Sequence, residues 1–149
     1  MDIVYFIYGL AFLVLGVVIV IWPKAGSRFA FARLSLWLAG FAFVHGTLEW
    51  MDLWRVVRGD NPALATARPL TLLASYVLLF EFGRRTLRAA RPGPQLSGWV
   101  HGLPLGGVAA GTLAHAAPLD SLAIWTRYLY GFPAALLSAI GLQAYIGQR

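Results

Sequence analysis

The sequence contains no cysteine and little charge, and both shortages narrow what the protein can be. None of its 149 residues is cysteine, so disulfides, thiolate metal sites and a cysteine nucleophile are excluded. Charged residues make up 12% of the chain, about half of the roughly 25% that is typical of soluble domains. Hydrophobic residues make up 59%, which is more than a small soluble domain can hide from water. The composition therefore predicts a single membrane-embedded domain over residues 1–149.

Signatures of catalysis and of nucleic-acid binding are also missing. The chain has no serine nucleophile elbow, no HExxH motif, no P-loop and no glycine-rich dinucleotide fingerprint. We therefore expect no enzymatic activity from this chain alone. Its formal net charge is +6, but the basic residues lie in short clusters between apolar runs, as they do in the loops of membrane proteins. No nucleic-acid partner is expected, and the expected surroundings are a lipid bilayer.

Five apolar stretches are long enough to cross a bilayer as helices. They run approximately over 3–22, 34–54, 70–87, 97–116 and 119–146. Each has about the 20 residues that a helix needs to span the hydrocarbon core, where a helix satisfies its own backbone hydrogen bonds. The sequence thus predicts an all-α integral membrane bundle of about five transmembrane helices. Pro133 interrupts the last stretch, and we expect a kink there that acts as a hinge.

The distribution of lysine and arginine predicts the orientation of the bundle. Three basic residues flank the second loop, namely Arg55, Arg58 and Arg68. Eight lie on the opposite side, namely Lys24, Arg28, Arg33, Arg84, Arg85, Arg88, Arg91 and Arg149. Because basic residues mark the cytoplasmic side, we expect the N-terminus outside and the C-terminus in the cytoplasm. This topology predicts a multi-pass protein of a cytoplasmic membrane and places all six tryptophans at an interface.

Ionisable residues inside a membrane span are costly unless they are partnered, and they often mark function. His45, Glu49 and Asp52 lie on one face of the second stretch, at positions i, i+4 and i+7. Other stretches carry polar side chains at a similar depth in the outer half of the bundle, namely Tyr8, His115, Arg127 and Tyr128. Together these residues predict a small-molecule pocket that opens to the outside.

Two other interpretations of the same residues stay open. In the first, Glu49 or Asp52 forms an ion pair with Arg127, His45 bonds to a backbone carbonyl, and the chain is a structural subunit without a ligand. In the second, His45, Glu49 and His115 hold a metal or a haem, or relay protons, in an electron- or proton-transfer protein. A histidine and a glutamate four residues apart on a helix can both ligate one metal.

The inner ends of the helices and the glycines lead to more ordinary expectations. His101 is predicted to be an interfacial side chain without a special role. Glu81 is explained by pairing along its helix with nearby arginines whose heads reach the interface. Gly98, Gly102 and Gly106 recur every four residues as a ridge, and Gly107 and Gly111 lie on an adjacent ridge, which predicts close packing of this helix against a neighbour. A homodimer through the same ridge is the alternative.

Three segments of the chain carry a resemblance to a known class of membrane region. They are YGLAFLVLG over residues 8–16, HGTLEWMDLW over 45–54 and RYLYGFPA over 127–134. With these segments the chain resembles the N-terminal multi-helix membrane sensor region of bacterial histidine kinases and diguanylate cyclases. The resemblance implies an input role in signal transduction, as in two-component systems, with the regions around His45 and Arg127 as recurring polar features. No phosphoacceptor, nucleotide-binding or GGDEF-type segment occurs in the sequence, which leaves open an output domain beyond residue 149.

Overall fold

The computed structural model describes residues 2–22, 29–90 and 97–147, and these ranges contain helices and no strand. The all-α prediction is therefore confirmed. Five helices follow one another along the chain, namely α1 (Asp2–Ile21), α2 (Phe29–Arg58), α3 (Pro62–Ala90), α4 (Gly102–Leu113) and α5 (Pro118–Ile146). A short 3₁₀ turn, Gly98–His101, leads directly into α4.

Three of these helices, α1, α3 and α5, are long and apolar enough to cross a membrane. In α1 only Gly9 and Gly16 are buried, while large apolar side chains such as Ile3 and Ile7 are more than half exposed. A soluble monomer rarely leaves so continuous an apolar surface in water. The lengths and surfaces of these helices are therefore compatible with a membrane protein.

The helices differ from the predicted stretches mainly in length. α2 and α3 have 30 and 29 residues, more than predicted, because their arginine-bearing ends stay helical. α4 is shorter than the predicted stretch 97–116, with only 12 residues. α4 ends early because the chain turns after Leu113 and α5 begins at Pro118. With the 3₁₀ turn it reaches about 26 Å, compared with a hydrocarbon core of roughly 30 Å.

The helices pack largely in chain order. α1 contacts α2, α2 contacts α3, and α3 contacts the second half of α5, while α4 packs on the first half of α5. The central cluster contains Phe41 of α2, Phe80 and Phe82 of α3, and Tyr130 and Ala134 of α5. α3 therefore lies at the centre of the bundle, with polar residues at both of its ends.

Glycine permits the closest helix approach at the contact between α3 and α5. A Cβ atom on Gly83 would lie 2.6 Å from the backbone nitrogen of Ser138. Across the same contact, a Cβ on Gly141 would lie 3.0 Å from the carbonyl oxygen of Gly83. The Ser138 hydroxyl also donates a hydrogen bond of 3.1 Å to the carbonyl of Leu79. Small residues let helix backbones approach in this way, and polar side chains then bond across the interface.

The predicted glycine ridge on α4 does not make the packing that was expected of it. A Cβ at Gly98, Gly102 or Gly106 would meet no atom within 4 Å among the described parts of the chain. The neighbouring glycines Gly107 and Gly111 take that role instead, against Leu129 and Trp125 of α5. The period of four residues correctly indicated a close contact, but the contact uses the adjacent face of the helix.

α5 changes its helical form midway along its length. It is α-helical over Pro118–Trp125, has a π-helical turn over Thr126–Gly131 and becomes α-helical again over Phe132–Ile146. The amide of Phe132 donates to the carbonyl of Arg127, five residues earlier. Pro133 follows immediately, and its ring nitrogen has no hydrogen to donate. The irregularity thus lies in the turn Thr126–Gly131, just before Pro133. The role of Pro133 as a hinge stays a prediction.

Candidate functional site

His45 lies in an aromatic environment where α1, α2 and α3 meet. Its ring centroid is 4.7 Å from that of Phe12, 5.1 Å from Phe41 and 5.7 Å from Tyr76. Its Nδ1 lies 3.1 Å from the hydroxyl oxygen of the buried Ser75. That hydroxyl donates its only hydrogen to the carbonyl of Leu72, at 2.8 Å. Nδ1–H of His45 therefore donates to the Ser75 hydroxyl. Among the described residues, the predicted bond from His45 to a backbone carbonyl is not formed; Ser75 bonds to the carbonyl in its place.

Glu49 and Asp52 follow His45 on α2 but have different partners. A Glu49 carboxylate oxygen lies 3.8 Å from Nε2 of His45, which is beyond hydrogen-bond distance. Asp52 accepts a hydrogen bond from Arg68 on α3, and the Arg55 guanidinium lies 3.8 Å away. The ion pair of Asp52 is therefore with Arg68. Within the described residues Arg127 pairs with neither Glu49 nor Asp52, so the structural ion pair predicted with Arg127 is not formed.

A cleft of about 540 Å³ lies between α2, α3 and α5. Six charged residues line it, three arginines and three aspartates, and we name it the charged cleft: Asp52, Arg55, Asp60, Arg68, Asp120 and Arg127. Leucine, alanine, proline and isoleucine side chains complete its wall. Its volume lies in the range of about 300–1,000 Å³ that small-molecule sites occupy. An apolar wall with a few convergent charged groups is the usual make-up of such a site.

Arg127 reaches the charged cleft from the π-helical turn of α5. It is exposed, and it interacts electrostatically with His45 and Glu49 without contacting them. α2 and α5 therefore line the same cleft, with no direct packing between the described parts of the two helices. π-helical turns are rare and are frequently found at functional sites.

Five of the seven predicted site residues lie outside the charged cleft, and His45 and Glu49 are two of them. Tyr8 and Tyr128 are 56% and 71% exposed, and neither lines the cleft. Nδ1–H of His115 donates to the carbonyl of Gly111 at 2.9 Å, and its ring packs near Trp125. In residues 2–22, 29–90 and 97–147 no three histidine, cysteine or acidic side chains are grouped as metal ligands. The set of His45, Glu49 and His115 is thus not assembled.

A buried polar network lies at the other end of the bundle, and only the pairing of Glu81 with arginines of its own helix was predicted. Arg84 donates two hydrogen bonds of 2.7 Å to the carboxylate of Glu81, and Arg85 donates a third. Nε2 of His101 lies 3.0 Å from the same carboxylate, and Nδ1 of His101 bonds to the Tyr130 hydroxyl. Glu81, Arg84 and Tyr130 are 7%, 6% and 0% exposed. His101 is thus not the interfacial side chain that was expected, because it joins α3 to α5.

The sequence carried a partial signal for this buried network. Glu81 interrupts an apolar run, and both Glu81 and His101 were assigned to inner helix ends. The nearby arginines on the same helix explained Glu81 without any partner from another helix. Tyr130 resembled any other aromatic residue of a membrane span, since the π-helical turn that directs it inward is not encoded by a simple periodicity.

Comparison with known proteins supplies no relative from which a function can be transferred. The chain matches no protein-family model, no curated protein and no solved structure. The resemblance to sensor regions therefore stays a prediction that rests on three short segments. What the protein does must be inferred from the charged cleft and the buried network.

Proposed function

We propose that this chain is the sensory or input region of a bacterial signalling protein, embedded in the cytoplasmic membrane by five spans. The membrane location is supported by α1, α3 and α5, which are long and apolar enough to cross a bilayer. The excess of basic residues at one end of α2 and α3 favours a cytoplasmic location for that end. The N-terminus then lies outside, and the charged cleft, at the opposite end of the same helices, opens to the outside.

The proposed ligand is a small molecule with an anionic group that binds Arg127 in the charged cleft. Arg127 carries this proposal, because it enters the cleft from a π-helical turn and forms no ion pair with any described residue. Asp52 and Arg68 already satisfy each other at the adjoining wall. A guanidinium group with open donors binds carboxylate and phosphate groups in a bidentate geometry.

The π-helical turn also offers a route for the signal. Arg127 and Tyr130 both belong to it, and Tyr130 is joined through His101 to Glu81 on α3. A ligand shifts a conformational equilibrium only if it binds one arrangement more tightly than the other. A ligand on Arg127 that favours one form of the turn would therefore also alter the buried network and the segment after Pro133.

Thermal unfolding of the purified protein in detergent tests the proposal with a panel of small carboxylates, amino acids and phosphate esters. A ligand at about 100 times its dissociation constant stabilises the folded state by about 2.7 kcal/mol. We expect at least one anionic compound to raise the unfolding temperature of the wild type. Arg127→Gln is expected to remove that rise, because the bidentate donor is lost.

Arg58→Gln is the matched control. Arg58 lies on α2 near the indole of Trp54, 5.9 Å from its centroid, and does not line the charged cleft. This variant should keep the full rise in unfolding temperature. A panel without any stabilising anion, or an equal rise in Arg127→Gln and wild type, would count against the proposed function.

A structural membrane subunit without a ligand is the second candidate. The buried network favours it, because Glu81, His101 and Tyr130 join α3 to α5 through hydrogen bonds that need no ligand. Under this alternative, no compound of the panel would raise the unfolding temperature of the wild type. Arg127→Gln would leave stability nearly unchanged, because Arg127 is exposed and forms no ion pair with a described residue. Under the sensory proposal, the effect of Arg127→Gln appears mainly as the loss of ligand-dependent stabilisation.

A further inference from the structure

A second cleft lies at the opposite end of the helix pair from the charged cleft. It has a volume of about 930 Å³ and lies between the start of α2 and the end of α3. Four arginines line it, and no acidic side chain does so among the described residues. We name it the arginine cleft after Arg33, Arg84, Arg85 and Arg88. The sequence predicted this cluster only as a marker of the cytoplasmic side.

The packing of the arginine cleft leaves it with an excess of positive charge. Arg84 and Arg85 both donate to Glu81, so one carboxylate serves two guanidinium groups. Arg85 also lies over the indole ring of Trp37, 4.5 Å from its centroid. This contact and the hydrogen bond hold the side chain in place. Arg33 and Arg88 add two exposed guanidinium groups to the same cleft.

The remaining wall of the arginine cleft is apolar. Leu34, Leu36 and Leu78 line it together with Trp37. Tryptophan side chains prefer the membrane–water interface. The cleft therefore combines cationic groups with an apolar wall, at the depth where lipid headgroups meet acyl chains. A soluble anion would use only the first of these features, whereas a phospholipid would use both.

We propose that the arginine cleft binds the headgroup of an anionic phospholipid of the cytoplasmic leaflet. Basic pockets between transmembrane helices on this side of a membrane are suited to such headgroups. The volume of the cleft lies within the range of small-molecule sites. The site depends on the membrane location of the chain but not on a ligand in the charged cleft, which lies at the other end of α2 and α3.

Lipid binding to the full chain, purified in a neutral detergent, tests this site. The protein is titrated with phosphatidylglycerol and with phosphatidylcholine, and bound lipid is measured by native mass spectrometry. We expect selective binding of phosphatidylglycerol to the wild type. The variant Arg33→Gln/Arg88→Gln should bind it about 30-fold more weakly, since each basic residue near an anionic surface contributes about a factor of five.

The single variant Arg33→Gln should bind phosphatidylglycerol about fivefold more weakly than the wild type, and Arg58→Gln is its matched control. Arg58→Gln removes one charge from the other end of α2, and Arg58 lines neither the charged cleft nor the arginine cleft. This control variant should bind phosphatidylglycerol within about a factor of two of the wild type, the spread expected for distant surface changes. Equal binding of the two lipids by the wild type would overturn the proposal without reliance on any variant. An equal loss in the control variant would also overturn it, as would displacement of the lipid by inorganic phosphate alone. If no anionic compound binds at Arg127, the expected lipid binding in the arginine cleft is unaffected. The proposal for the charged cleft and the proposal for the arginine cleft can therefore be rejected independently.

Discussion

Glu81→Gln is expected to destabilise the folded protein by about 3–5 kcal/mol, the cost of removing one partner from a buried ion pair. Glu81 accepts hydrogen bonds from Arg84 and Arg85 and lies 3.0 Å from Nε2 of His101. Arg84 is only 6% exposed, so its charge would stay buried without this carboxylate. Reversible unfolding in mixed micelles, with the free energy extrapolated to zero denaturing detergent, measures the loss.

A double substitution measures the contribution of the Glu81–Arg84 ion pair separately from that of the other contacts of Glu81. Glu81→Gln/Arg84→Met removes both charges and should be less destabilised than Glu81→Gln alone, because no unpaired buried charge remains. Glu49→Gln is the matched control on α2, because the carboxylate of Glu49 lies 3.8 Å from Nε2 of His45, beyond hydrogen-bond distance. It should cost less than about 1 kcal/mol. Equal losses for Glu81→Gln and Glu49→Gln would show that the buried network does not stabilise the bundle.

Gly83→Ala is expected to destabilise the protein by about 2–3 kcal/mol, in the range for overpacking a close contact. The added Cβ would lie 2.6 Å from the nitrogen and 2.9 Å from the hydroxyl oxygen of Ser138. The nearest of these atoms belongs to the backbone, so α3 and α5 must separate to admit it. The hydrogen bond from Ser138 to Leu79 would lengthen as a result. The same unfolding measurement in mixed micelles applies.

Gly106→Ala is the control for the glycine contact, because the added Cβ would meet no described atom within 4 Å. In a helix interior this exchange gains up to about 1 kcal/mol from helix propensity. We therefore expect Gly106→Ala to be neutral or stabilising. If Gly83→Ala were as stable as Gly106→Ala, α3 and α5 would not approach as closely as described.

The sequence was sufficient to predict where the helices lie in the chain, but not which face of each helix packs against its neighbours. Apolar run length predicted the bounds of α1 and α5 well, because a membrane span needs continuous hydrophobicity, whereas α3 extends beyond its predicted stretch at both ends. The four-residue period on α4 indicated close packing, yet Gly107 and Gly111 make the contact instead of Gly98, Gly102 and Gly106. A single sequence fixes which residues share a face, but the neighbouring helix decides which face is covered.

In the candidate site too, the sequence predicted the level of each residue along its helix but not its partner on the neighbouring helix. Depth along the helices predicted that Asp52 and Arg127 lie at a similar level, and both line the charged cleft, since depth follows from counting residues along a helix. Depth alone also suggested an ion pair between Asp52 and Arg127, whereas Arg68 of the adjacent helix pairs with Asp52. The link between His101 and Tyr130 depends on the π-helical turn, and no periodic pattern in the sequence predicts such a turn.

The central claim is that the chain spans the membrane five times, with the charged cleft outside and the arginine cleft inside. Labelling of single cysteines with a membrane-impermeant maleimide in intact cells tests it most directly, because the chain has no cysteine of its own. Ala116→Cys lies in the exposed turn between α4 and α5, and Gly147→Cys lies just after α5. We expect Ala116→Cys to be labelled in intact cells, and Gly147→Cys only after the cells are permeabilised. Labelling of Gly147→Cys in intact cells, protection of Ala116→Cys there, or recovery of the protein without detergent would contradict the claim.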